Sequence, residues 1–152
     1  MATKYVHTNL IANDWNRLAS FYQEVFGCEP VLPERNLSGA WLDKATGFDD
    51  VRIQGMHLRL PGHGENGPTL EIFQYGSMPK HPNASPNTPG FAHIAFEVDD
   101  VQAAAGLILE HGGTVVGEFT ELELPGVGRL TFQYLADLEG NIVEVQNWQE
   151  AA

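Results

Sequence analysis

The sequence predicts an α+β protein made of two βαβββ modules whose curved sheets form a cleft. Two self-alignments and one compositional break predict it. Tyr5 to Trp15 (YVHTNLIANDW) aligns with Phe91 to Val101 (FAHIAFEVDDV) at an offset of 86, setting His7 on His93 and Asp14 on Asp100. Thr69 to Gln74 (TLEIFQ) aligns with Ile142 to Asn147 (IVEVQN) at an offset of 73, setting Glu71 on Glu144. The first copy is therefore 13 residues longer between its His and its Glu. Between the copies, the segment from Gly76 to Gly90 holds Pro79, Pro82, Pro86 and Pro89 and reads as an extended linker. An internal repeat fixes architecture more firmly than any single motif. The expected organisation is a first module over residues 4–75, a linker over 76–90 and a second module over 91–148, in one integrated domain.

The elements follow in chain order. Lys4 to Ile11 alternates as a strand, with Tyr5, His7 and Asn9 on one face. Asn13 or Asp14 caps a helix whose apolar positions Trp15, Leu18, Ala19, Tyr22, Val25 and Phe26 recur at helical spacing up to a left-handed Gly27. A short strand is expected near Glu29 to Leu32, then a loop from Pro33 to Asp50. A strand from Val51 to Leu60, with its alternation broken near Gly55, and another from Thr69 to Tyr75 complete the module. The second module repeats the order: strand Phe91 to Val98, cap Asp99 or Asp100, and a helix with Val101, Ala104, Ala105 and Ile108 on one face, stopping at Gly112-Gly113. Strands near Thr114 to Thr120, Gly128 to Ala136 and Asn141 to Trp148 follow, the last two joined by the turn Asp137 to Asn141.

Composition excludes several classes of function. With 8 basic and 20 acidic residues the formal charge is −12, which repels phosphate backbones and anionic membranes while leaving room for a local basic pocket. Cys28 is the single cysteine, so neither an intrachain disulfide nor a cysteine-based zinc cluster can form. The N-terminus carries no signal-peptide pattern, and no run approaches the roughly 20 apolar residues of a membrane span. A cytoplasmic protein acting on a small molecule, without nucleic-acid or membrane partners, is expected.

Its chemistry is expected at His7, Glu71, His93 and Glu144. One strand histidine is usually structural and one strand glutamate usually solvent-facing; the same pair recurring at matching points of two copies points to a shared metal site. Two imidazoles and two carboxylates suit one divalent ion of borderline hardness, Zn, Ni, Co, Mn or Fe(II). Four protein ligands leave positions open for a substrate oxygen, and Glu71 or Glu144 at the metal edge would move a proton. Arg35, Arg59 and Arg129 are candidates to hold an anionic substrate. Phe73, Tyr75, Phe91 and Trp148 are candidates to wall the cleft. Gln146 and Asn147 are near enough in sequence to Glu144 to support it, and His57 is the remaining strand histidine.

Five stretches carry a family resemblance: H-T-x-L-x-A-x-D (His7 to Asp14), F-Y-x-x-V-F-G (Phe21 to Gly27), L-E-I-F (Leu70 to Phe73), H-I-A-F-x-V-x-D (His93 to Asp100) and D-x-E-G-N-x-x-E (Asp137 to Glu144). Through them the chain, from Tyr5 to Trp148, resembles the vicinal oxygen chelate superfamily, which includes glyoxalase I, methylmalonyl-CoA epimerase, bleomycin resistance proteins and extradiol dioxygenases. His7, Glu71, His93 and Glu144 match the His-Glu-His-Glu ligand pattern of glyoxalase I, in which Ni or Zn also holds two waters. The usual proline of the last turn is Leu138 here. The epimerases commonly have glutamine where Glu71 stands, and the dioxygenases need a further histidine that no residue after His111 supplies. The resemblance thus implies a homodimeric metal-dependent lyase or isomerase acting through an enediolate or enolate, like glyoxalase I (lactoylglutathione lyase). The alternatives are a non-catalytic binding protein of the bleomycin-resistance type and an Fe(II) extradiol-type dioxygenase.

Overall fold

The computed structural model describes residues 1–82 and 84–152; Asn83, inside the expected linker, lies outside the described residues. The chain divides into two compact units, Met1–His81 and Pro82–Ala152. The first contains β1 (His7–Ile11), α1 (Trp15–Phe26), β2 (Glu29–Ser38), α2 (Ala40–Thr46), β3 (Arg52–Arg59) and β4 (Thr69–Tyr75), in the sheet order β1-β4-β3-β2. The second contains β5 (His93–Glu97), α3 (Val101–Glu110), β6 (Thr114–Val115), β7 (Thr120–Leu124), β8 (Gly128–Ala136) and β9 (Ile142–Glu150), ordered β5-β9-β8-β6 with β7 also paired to β8. In each unit the first strand runs parallel to the last and the remaining pairs are antiparallel. These are the two predicted βαβββ modules, one with an inserted helix and the other with a divided second strand.

Each main helix forms and docks for the same reasons. The Asp14 carboxylate accepts the Arg17 N–H at 3.0 Å, and Gly27 ends α1 in the left-handed region. The buried Leu18, Ala19, Phe21 and Tyr22 pack over β3 and β4, where Leu58, Leu70 and Ile72 are also buried. Burial of such a side chain stabilises by about 1.5–3 kcal/mol, which outweighs differences in helix propensity. In the second unit Asp100 accepts from the Ala103 N–H at 2.9 Å, and Val101, Ala105 and Ile108 pack over β8 and β9. One face of each sheet is thereby sealed by a helix. Side chains of the other parity remain on the opposite face.

The passage from first strand to helix is anchored alike in both units. Ala12 N–H donates to Phe73 O at 2.8 Å, and Val98 N–H to Gln146 O at 2.9 Å. Gln74 Oε1 accepts the Trp15 N–H, and Asn147 donates to Val98 O at 2.7 Å. Asn147 therefore serves the turn on the helix side and does not support Glu144.

Two expectations need correction. The expected loop from Pro33 to Asp50 is mostly regular. β2 continues to Ser38 across a register shift between Val31 and Arg35, where the Leu32–Pro33 bond is cis, and α2 follows. Helix α2 holds because Leu42 joins Val51 and Ile53 in a small core completed by Leu37, Phe73 and Tyr75, a tertiary contact that a polar local sequence conceals. The strand after α3 is divided. Val116 and Gly117 N–H both donate to Tyr134 O, a bulge that lets β7 resume pairing as far as Leu124. The break in alternation expected near Gly55 is present as a change of buried side, from Ile53 and Gly55 to Leu58, within a β3 that pairs with β4 without interruption from Ile53↔Tyr75 to Arg59↔Thr69. The irregularity of pairing lies in β2 opposite.

Cys28, just past the α1 cap, is buried, and burial pushes its thiol up to about 12. Native protein is expected to give no reaction with Ellman's reagent at pH 8, and unfolded protein one thiol per chain. The same shift has a sign for stability: the unfolded thiol ionises from about pH 8.5, whereas the folded one stays protonated. Stability should therefore fall as the pH rises from there toward 12. Denaturant midpoints for wild type and Cys28→Ala test this; if both decline equally over that range, the thiol contributes nothing. Among the described residues, no helix is long and apolar enough to cross a membrane.

Candidate functional site

Strand register decides which side chains meet on the faces that the helices leave open. In the first unit His7 lies beside Thr69, Asn9 beside Glu71 and Ile11 beside Phe73, while on the other side of β4 His57 faces Glu71 and Arg59 faces Thr69. In the second unit His93 lies beside Ile142, Ala95 beside Glu144, and Tyr134 faces Glu144. The His and the Glu thus hold the same relative register in both units. The repeat read in sequence is a repeat of geometry.

Each unit brings its repeated His and Glu together. His7 Nε2 stands 3.7 Å from Glu71 Oε1, and His93 Nε2 stands 3.1 Å from Glu144 Oε2. The carboxylate side chains are 15% and 13% exposed, shielded enough to strengthen these contacts yet still reachable.

Glu71 has two more partners. Asn9 Nδ2 donates to its Oε1 at 2.8 Å, and His57 Nε2 lies 2.8 Å from its Oε2. The other His57 nitrogen, Nδ1, is 3.2 Å from Thr69 Oγ1. Burial holds the His57 imidazolium below its ordinary range; the Glu71 charge opposes this, while Arg35 and His7 add to it. Phe73 meets the His57 ring edge-on at 5.9 Å, and His7 meets it at 5.7 Å. In the second unit Tyr134 takes the place of His57, with its ring 5.0 Å from that of His93.

The remaining candidates separate by face. Phe73 and Tyr75 share the face of Glu71 and also pack against the Leu42 core, so α2 builds the end wall of this face. Arg59 lies on that face too, and its buried Nε has no hydrogen-bond partner. Arg35 donates to the Val31 and Pro33 carbonyls, which holds it at the β2 irregularity. Trp148 shares the Glu144 face, at the exposed end of β9, and donates to Gln146. Phe91 precedes β5 and is fully exposed, so it walls nothing within its own unit. Arg129 must be corrected as a substrate residue. It pairs with Gln149, which puts it on the face opposite Glu144, and it is bound to Glu123 at 2.5 Å and near Glu121 at 3.9 Å, so its charge is already matched.

Asn9 and Thr69 were not singled out from the sequence, although Asn9 lies two residues from His7 in the same alternation. Among the described residues, no group of three or more His, Cys, Asp or Glu is spaced to hold a metal ion. The donor chemistry nevertheless fits one. Each unit offers an imidazole nitrogen beside a carboxylate, 3.7 Å apart in the first and 3.1 Å in the second, the mixed N/O set that borderline divalent ions prefer.

The family model described as "Glyoxalase/Bleomycin resistance protein/Dioxygenase superfamily" matches residues 4–145. No curated protein matches the chain. Among solved structures, a glyoxalase family protein from Bacillus cereus is 18% identical, with a TM-score of 0.80 and coverage of 97% of this chain and 95% of that one. An integron cassette protein from V. cholerae is 21% identical, with a TM-score of 0.56 and 98% coverage of both chains. The fosfomycin resistance protein FosX from Listeria monocytogenes, complexed with Mn(II) and sulfate, is 17% identical, with a TM-score of 0.56 and coverage of 98% and 95%. At these identities the likeness shows the fold.

Proposed function

The chain belongs to the Glyoxalase/Bleomycin resistance protein/Dioxygenase superfamily, and from that premise we propose that it is a divalent-metal-dependent lyase or isomerase, of the glyoxalase I kind, that moves a proton beside the carbonyl of a small molecule. The observation that carries the reading is the repeated register: His7 with Glu71 and His93 with Glu144 occupy equivalent places on the uncovered faces of two equivalent sheets. The FosX structure, which contains Mn(II), lends support to a metal in this fold. His7, Glu71, His93 and Glu144 are the residues that would hold the ion. When bound, a divalent ion supplies Lewis acidity toward a substrate oxygen.

The chain's own residues do the rest. A carboxylate of Glu71 or Glu144 takes and returns the proton, and its half-buried setting limits competition from water. Phe73 offers an apolar contact beside that chemistry, and Trp148 offers another on the Glu144 face. Arg59, on the same face as Glu71, is the residue for a carboxylate or phosphoryl group on the substrate.

Elemental analysis of untagged protein tests the reading. Wild type is expected to hold about one divalent ion per chain, and His93→Ala to lose it. Turnover would then be sought with the methylglyoxal–glutathione hemithioacetal, acyl-CoA epimers and fosfomycin. Wild type that cannot be loaded with Ni, Zn, Co, Mn or Fe would end the enzyme reading and leave a small-molecule binding protein.

A further inference from the structure

The two carboxylates of the repeat are not held alike. Glu71 is gripped at both oxygens, by Asn9 at Oε1 and by His57 at Oε2, whereas the Glu144 contact is His93 on Oε2. A carboxylate can only accept hydrogen bonds, so the His57 nitrogen facing it must carry a proton. In the neutral imidazole the other nitrogen then accepts, and the group it meets is the Thr69 hydroxyl, which can donate. Both contacts come from one pleat. Thr69 and Glu71 are two apart on β4, and His57 faces Glu71 from β3.

We propose that His57 is a positioning residue for Glu71, its tautomer set by that carboxylate and its far nitrogen held by Thr69, so that the first-module carboxylate is locked in one orientation while its second-module counterpart is not. The inference rests on reading Glu71 as a metal-ligand carboxylate. It makes the relay Thr69–His57–Glu71 a device of one module alone. The equivalent positions in the other are Ile142, Tyr134 and Glu144, and an isoleucine has no hydroxyl to donate. The repeat has diverged at the residues that orient a ligand while keeping the ligands. Outer groups that orient ligating side chains typically change metal affinity 10–100-fold on removal.

Two measurements decide it. The first uses metal-free protein, so it stands apart from the metal reading: long-range ¹H–¹⁵N spectra of the histidine rings at neutral pH. Wild type is expected to show His57 as the neutral Nε2–H tautomer, Glu71→Ala to lose that preference and Thr69→Val to keep it. An Nδ1–H tautomer in wild type, or no response to Glu71→Ala, overturns the relay. The second is Zn(II) affinity by calorimetry. His57→Phe is expected to weaken binding 10–100-fold, and His57→Gln, whose amide can still donate to Glu71, to recover most of it. Equal affinities across wild type, His57→Phe and His57→Gln overturn the positioning role. Wild type that binds no Zn(II) or other divalent ion removes the metal reading, and the tautomer spectra then decide whether His57 orients Glu71.

Discussion

Glu144→Gln and Glu71→Gln are each expected to lower kcat by about 100- to 10,000-fold, the range that loss of a positioned proton-transfer group produces. The replacement keeps the shape of the side chain and removes its charge and basicity. Both glutamates lie on the faces that α1 and α3 leave uncovered, so neither contributes to a hydrophobic core. The melting temperature should move by only a few degrees. The two variants should differ in one respect. At position 71 an amide nitrogen must sit against either the Asn9 amide or the His57 N–H, and one donor will oppose another. Glu71→Gln should therefore lose more stability than Glu144→Gln. Steady-state kinetics on whichever substrate turns over, with thermal melts of the same samples, read both effects. Wild-type kcat in either variant would exclude that glutamate from proton transfer.

Gly55→Ala is expected to cost heavily in folding. A Cβ at this position would stand 2.1 Å from Ile72 O and 2.6 Å from Phe73 Cδ1. The first contact is with backbone in the middle of an unbroken β3–β4 ladder and cannot be relieved by a rotamer change. Overpacking of this kind costs about 3 kcal/mol or more, a fall in melting temperature on the order of 10 °C for a chain of this length. The effect should reach the site, because the Phe73 ring that covers Gly55 also lies against His57. Gly106→Ala in α3 provides the opposite sign: a Cβ there meets nothing within 4 Å, and alanine should raise stability by roughly 0.5–1 kcal/mol. Gly55→Ala melting with wild type would show that the sheet accommodates the methyl group.

The site was legible where the chain repeats itself. His7 with His93 and Glu71 with Glu144 can be found by aligning residues 5–15 with 91–101 and 69–74 with 142–147, because duplication preserves spacing within each element. Both helices could be read from their caps and apolar spacing, which are local quantities. Arg129 could not be assigned to a face: alternation says only that Leu130 and Arg129 point oppositely, and the pairing of β8 with β9 says which of them shares the side of Glu144. Helix α2 was hidden for a related reason, since one buried leucine, Leu42, holds it against residues from β2, β3 and β4.

By itself, then, the sequence determined the two modules, the strand–helix–strand order within them and the identities of the four repeated donors. These follow from side-chain period, capping chemistry and self-similarity, which act over a few residues or one repeat. Only the tertiary structure decided that Asn9, His57 and Thr69 converge on Glu71, and that Tyr134 replaces His57 beside Glu144. Those contacts join strands up to 62 residues apart. Their partners are set by register, which slides in steps of one residue and is fixed by the packing of the whole sheet against its helix.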